Sequence, residues 1–122
     1  MIDFKTLNYW KKAYKFSLDI YRETTSFPRE EKYGLTSQIR RAAISIPINI
    51  SEGSGRNSKK EFANFLQISL GSASEVECEL LLSKDIGYLN PEKCLYLLNE
   101  LSEIRKMIFS YRESILAELN TE

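Results

Sequence analysis

Apolar residues recur along this chain at alternating steps of three and four, the spacing that places them on one face of a helix. Four such stretches account for nearly all of it, and none shows the sustained two-residue alternation of a half-buried strand. The first runs from about Leu7 to Thr25, where Leu7, Trp10, Tyr14, Ser17 and Tyr21 form a stripe that Ala13, Phe16 and Ile20 widen. Phe27-Pro28 ends it, because the residue before a proline is pushed out of the α region. A second helix begins near Tyr33 to Thr36 and ends at Gly53, with Leu35, Ile39, Ala42, Ile46 and Ile50 as its core stripe. Ser58-Lys59-Lys60-Glu61 has the form of a capping box and opens a third helix reaching Ile86, with Gly87 as a left-handed stop. Phe62, Phe65, Leu66, Ser69, Ala73, Val76 and Leu80 line its core face. Asn90-Pro91, a capping residue and a proline at the first helical position, opens the fourth. There Cys94, Leu97, Leu101, Ile104, Ile108, Tyr111, Ile115 and Leu119 keep the three–four repeat unbroken.

Short connections make consecutive helices antiparallel neighbours. The pattern therefore predicts an all-α, antiparallel up-down-up-down four-helix bundle, one domain spanning residues 1–122. Pro47 falls inside the second helix and cannot donate to the Ala43 carbonyl, which predicts a kink there. A stop at Ser45 is the alternative, since an interior proline costs ~3 kcal/mol; the stripe continuing to Ile50 favours the kink. Gly71 lies in a run of small residues, Ser69 to Ser74, where a glycine costs ~1 kcal/mol relative to alanine. Close approach of another backbone is the expected return. The second helix also carries Ile44 and Ile48 almost opposite its core stripe, flanked by Ser37, Arg41 and Ser51. A helix apolar on two faces needs two partners, one inside the fold and one outside. Arg41, Ile44 and Ile48 are accordingly the expected oligomer interface.

Composition narrows the chemistry. Hydrophobic residues make up 43% and charged residues 28%, the balance of an ordinary soluble protein. The absence of histidine removes Ser-His-Asp and Cys-His catalysis, histidine-ligated zinc and the Glu-x-x-His di-iron site of many four-helix bundles. Glu75 and Glu79 share a helix face while Glu77 points away, a pattern of ion pairs and solvation rather than metal ligation. Cys78 sits between two glutamates and Cys94 in a core stripe, so packing accounts for both better than nucleophilic chemistry. Glu52-Gly53-Ser54-Gly55-Arg56-Asn57-Ser58 offers backbone donors at a helix start, but it lacks the preceding strand and the lysine-serine ending of a P-loop. No catalytic residue, metal or cofactor is expected. No apolar run approaches the ~18 residues of a membrane span. The opening MIDFKTLNYWKK has no apolar core of a secretion signal. A cytoplasmic protein without membrane partners is the expectation.

Net charge is zero but unevenly spread. Residues 1–60 hold 12 Lys and Arg against 6 Asp and Glu, while residues 61–122 hold 5 against 11. Lys11, Lys12, Lys15 and Arg22 on the first helix, with Arg56, Lys59 and Lys60 at the glycine-rich turn, form the candidate nucleic-acid surface. Basic helices lying against acidic ones, within a subunit or between subunits, explain the same asymmetry. Folding the second and third helices back on the turn near Gly55 also predicts an Arg40–Glu75 pair.

The stretches YGLTSQIRRAAISIPINISEGSGR and EFANFLQISLGSASE resemble a bacterial four-helix-bundle family. That family is known from proteins encoded in intervening sequences of large-subunit ribosomal RNA genes. The likeness extends from about Phe4 to Tyr111 and includes Arg40-Arg41-Ala42-Ala43, Ser45-Ile46-Pro47, Glu52-Gly53, Gly55-Arg56, Glu61-Phe62 and Gly71-Ser72. The accessory protein of diversity-generating retroelements is related to it. The resemblance implies a homopentameric ring of bundles, no catalytic site, and an accessory or scaffold role. Its implied partners are other copies of the chain, RNA, or an RNA-processing or reverse-transcribing protein. A protein–protein interaction module without any nucleic-acid role is the alternative.

Overall fold

A computed structural model describes residues 2–121. Four α-helices dominate it: α1 (Asn8–Glu23), α2 (Leu35–Ser54), α3 (Lys59–Ile86) and α4 (Pro91–Asn120). Short 3-10 turns at Phe4–Thr6 and Arg29–Glu31 precede α1 and α2, and no strand occurs among the described residues. Each boundary lies within about two residues of the one the hydrophobic pattern predicts.

The helix starts follow from their caps. Ser58 accepts the Glu61 N–H at 3.2 Å, Asn90 accepts that of Lys93 at 2.8 Å, and Gly87 takes φ 100° to stop α3. At α2 the cap comes from outside the helix, where Glu31 Oε1 accepts the Leu35 N–H at 3.1 Å. Its Oε2 takes the Tyr88 hydroxyl at 2.9 Å, so one carboxylate ties the α1–α2 connection to the α3–α4 turn.

Contacts fix the directions. Ser17 meets Ala43, Ser69 meets Ile46, Cys94 meets Leu80, and Lys12 meets Glu103. Nearer the chain ends Ile2 donates to Ser54, Arg112 to Ala63 and Lys93 to Glu23. Sequence neighbours therefore run antiparallel, and α1 closes the bundle against α4. The core is the set the stripes predict: Phe16 and Ile20 from α1, Ile39, Ile46 and Ile50 from α2, Leu66, Val76 and Leu80 from α3, and Leu97, Leu101, Ile104 and Ile108 from α4.

Helix α2 passes through Pro47 without stopping, which excludes the ending at Ser45. The Ala43 carbonyl that Pro47 cannot satisfy lies 3.1 Å from the Ser17 hydroxyl. That hydroxyl is also 2.9 Å from the Ala13 carbonyl, and its single proton serves one of the two at a time.

Two expectations are corrected. Gly71 has open space around it, with no atom within 4 Å of an added Cβ. The small-residue run does approach α2, through Ser69, which donates to the Ile46 carbonyl at 3.0 Å, and Ser72, which donates to the Ser45 hydroxyl at 2.8 Å. The glycine that close packing requires is Gly53, where a Cβ would fall 2.7 Å from Phe65 Cβ and 2.8 Å from Phe62 Cδ1. Nor does Arg40 reach Glu75. It turns to α1, donating to Thr24 Oγ1 at 2.8 Å and the Tyr21 carbonyl at 3.1 Å, with its guanidinium 4.6 Å from the Tyr21 ring centre. The aromatic face and two neutral acceptors on α1 thus occupy the guanidinium that the sequence assigned to Glu75.

Candidate interaction surfaces

Helix α2 presents its second apolar face where α1 presents one too. Ile44, Pro47 and Ile48 form one wall of a groove of about 400 Å³, and Trp10, Tyr14, Leu18 and Tyr21 form the other. Phe4 closes one end against Trp10, with ring centres 5.0 Å apart, and Trp10 stacks on Tyr14 at the same distance. No other described residue closes over this groove: Ile48 is 55% exposed and Tyr14 51%, while Ile44 and Trp10 are half-buried and Pro47 is buried at its floor. The α1 stripe read from the sequence thus splits, with Ser17 joining the core while Tyr14 and Tyr21 face outward. Leu18, absent from that stripe, completes the wall. Arg41 is exposed beside Ile44 and has no acidic partner among the described residues.

The candidate nucleic-acid residues are mostly engaged. Lys12 pairs with Glu103 at 3.1 Å, Lys59 with Glu118 at 2.6 Å, and Arg56 with Glu52 at 3.4 Å. Lys15 and Arg22 share Asp19, at 3.2 and 3.1 Å, and Lys15 also reaches the Tyr96 hydroxyl at 3.3 Å. Lys11 and Lys60 are exposed without an ion-pair partner among the described residues. Four of the seven lie along α1 and three at the α2–α3 turn, beside the chain's first described residues. Helix α4 supplies two of the neutralising acids, as the asymmetry of charge between the halves anticipates. Arg56 is drawn back to Glu52 and over the Phe65 ring, 4.9 Å from its centre, rather than toward the helix start.

Carboxylates and thiols find ordinary surroundings with two exceptions. Glu77 accepts from Arg105 at 3.0 Å. Glu79 is buried, and burial followed by the charge of Glu75 pushes its carboxyl up from 4.5 to about 7. Burial likewise raises the Cys94 thiol. Cys78, assigned to packing from the sequence, is exposed instead. It lies on an outward three–four row of α3 that the sequence reading passed over: Ile68, Gly71, Glu75, Cys78 and Leu82. The repeat was visible in the spacing, but the glycine, glutamate and cysteine within it masked an apolar stripe.

An antiparallel four-helix bundle with an uncovered apolar groove defines the class. The chain belongs to the 23S rRNA-intervening sequence protein family, whose model matches residues 5–110. Among solved structures it is similar to a protein with unknown function from the S23 ribosomal protein family of Bacteroides thetaiotaomicron VPI-5482. The two are 28% identical with a TM-score of 0.77, covering 85% of this chain and 97% of that one. No curated protein matches the chain.

Proposed function

We propose that the protein is a non-enzymatic scaffold whose copies associate through the α1–α2 groove, forming a ring of five as the family resemblance implies. The carrying observation is that the chain's own fold leaves Ile48 and the aromatic wall opposite it uncovered. Tryptophan, tyrosine and arginine dominate the energetic centres of protein interfaces, and Trp10, Tyr14, Tyr21 and Arg40 cluster here. Scaffolding of this kind fits a cytoplasmic accessory protein. Trp10 is the chain's single tryptophan, so acrylamide quenching of its emission reports groove coverage. Ile48→Glu should leave the fold intact and increase quenching about threefold, whereas equal quenching in both proteins contradicts the proposal.

RNA contact is the second reading, favoured by the family and by the free charge of Lys11, Lys60 and Arg41. Against it stand the ion pairs that occupy the other five basic residues. Phosphate contacts release counterions, so affinity for a single-stranded RNA should fall steeply between 50 and 200 mM salt, about tenfold or more. Reversing Lys11, Lys15 and Arg22 to glutamate should abolish it. No binding at low salt leaves the protein-only scaffold.

A further inference from the structure

A closed ring of more than two copies needs two different surfaces on each copy, a groove and whatever enters it. Groove against groove would make a twofold dimer and would set like charges together. Arg41 borders Ile44 at the groove, and Lys11 and Arg22 lie three and four residues from its lining residues Tyr14 and Leu18. The partner surface should therefore be apolar, acidic and elsewhere on the bundle.

One face of α3 meets all three demands. Ile68 and Leu82 are 50% and 48% exposed, and Ile86, one turn beyond Leu82, is 54% exposed. With Gly71, Glu75 and Cys78 they follow a three–four row, the spacing of a seam between packed helices. The α2 face runs at the same spacing, through Ser37, Arg41, Ile44, Ile48 and Ser51. The acid on this row is Glu75, since Glu77 is paired with Arg105 and Glu79 is buried. Glu75 stands in mid-row with no basic partner among the described residues, as Arg41 does on α2. Open space at Gly71 would let an incoming helix approach closely. The groove and the α3 face are different surfaces of one copy, so their contact is heterologous and gives a ring where its rotation closes.

Resting on the assembly proposed above, we infer that the α1–α2 groove of one copy receives the Ile68–Leu82 face of α3 from the next, with Arg41 paired to Glu75 between subunits. Salt bridges with one sign on each surface also fix direction, making the contact head-to-tail.

Charge reversal tests this. Arg41→Glu and Glu75→Arg, both exposed positions, should each raise the dissociation constant of the assembly about tenfold or more, because like charges then meet. Mixing the two single variants should recover association in trans as mixed pairs, since each supplies the surface the other needs, while a ring of five keeps at least one like-charge contact and should not close fully. Gly71→Trp, with room around it in the isolated subunit, should keep the fold by circular dichroism and block assembly. Single reversals and Gly71→Trp that assemble like the wild type overturn this interface while leaving the assembly reading intact. A monomeric wild type overturns both.

Discussion

Glu79 is the residue whose environment conflicts most with its chemistry. Its folded carboxyl titrates near 7 instead of 4.5, because burial and the neighbouring Glu75 both disfavour the charge. The folded state therefore holds a proton that the unfolded chain has already lost between those values. Stability should be highest below about pH 4.5, fall as pH rises toward 7, and level off above it. The loss is on the order of 3 kcal/mol. Urea midpoints at pH 5 and pH 8 should show the decline, and Glu79→Gln should flatten the difference between them. Gly53 is the second sensitive position. Its substitution by alanine drives a methyl into Phe62 and Phe65, and should cost about 1–3 kcal/mol by thermal melts. At this scale the sequence was least legible. It identified the small-residue run as a close approach, which Ser69 and Ser72 make to α2, but gave the role of the glycine to Gly71, which points outward, because the run alone does not say which of its faces is inside.

Elements were legible where a repeat was long and its ends were punctuated. The Ser58 and Asn90 caps, the Gly87 stop and the α4 stripe all lie where spacing placed them. Helix α2 resisted because proline propensity and stripe continuity disagreed, and the winning term lies on another helix. Ser17 supplies the donor that Pro47 lacks, a long-range contact that no local rule encodes. Ser17→Ala should leave the Ala43 carbonyl buried without a donor and cost about 1–3 kcal/mol. Pro47→Ala restores the amide, so the double variant should lose less than the sum of the single losses in a double-mutant cycle. Strict additivity would mean that Ser17 donates only to Ala13. The Arg40 correction has the same origin. Its register was right, but the Tyr21 ring and the Thr24 hydroxyl beside it were not readable from α2 alone.

For the whole molecule, the hydrophobic pattern held two messages. One stripe per helix folds the bundle; the surplus stripes on α1, α2 and α3 remain outside it. The sequence made the α2 surplus clear through Ile44 and Ile48, and missed α1's half because tyrosines serve core and surface alike. Charge worked at this scale as well: the basic first half leans on the acidic second half through Lys12–Glu103 and Lys59–Glu118, while Glu23–Lys93 joins them with the signs reversed. Such exposed pairs add at most about 1 kcal/mol each, so they orient helices more than they hold them. The proposed association would cover this surplus apolar surface; interfaces of lasting complexes bury about 800 Å² per partner. The direct test is the mass of the wild-type protein in solution by static light scattering at micromolar concentration. A discrete species several times the 14.2 kDa of one chain, near five copies, is the predicted result. A single-chain mass at every concentration would contradict the account.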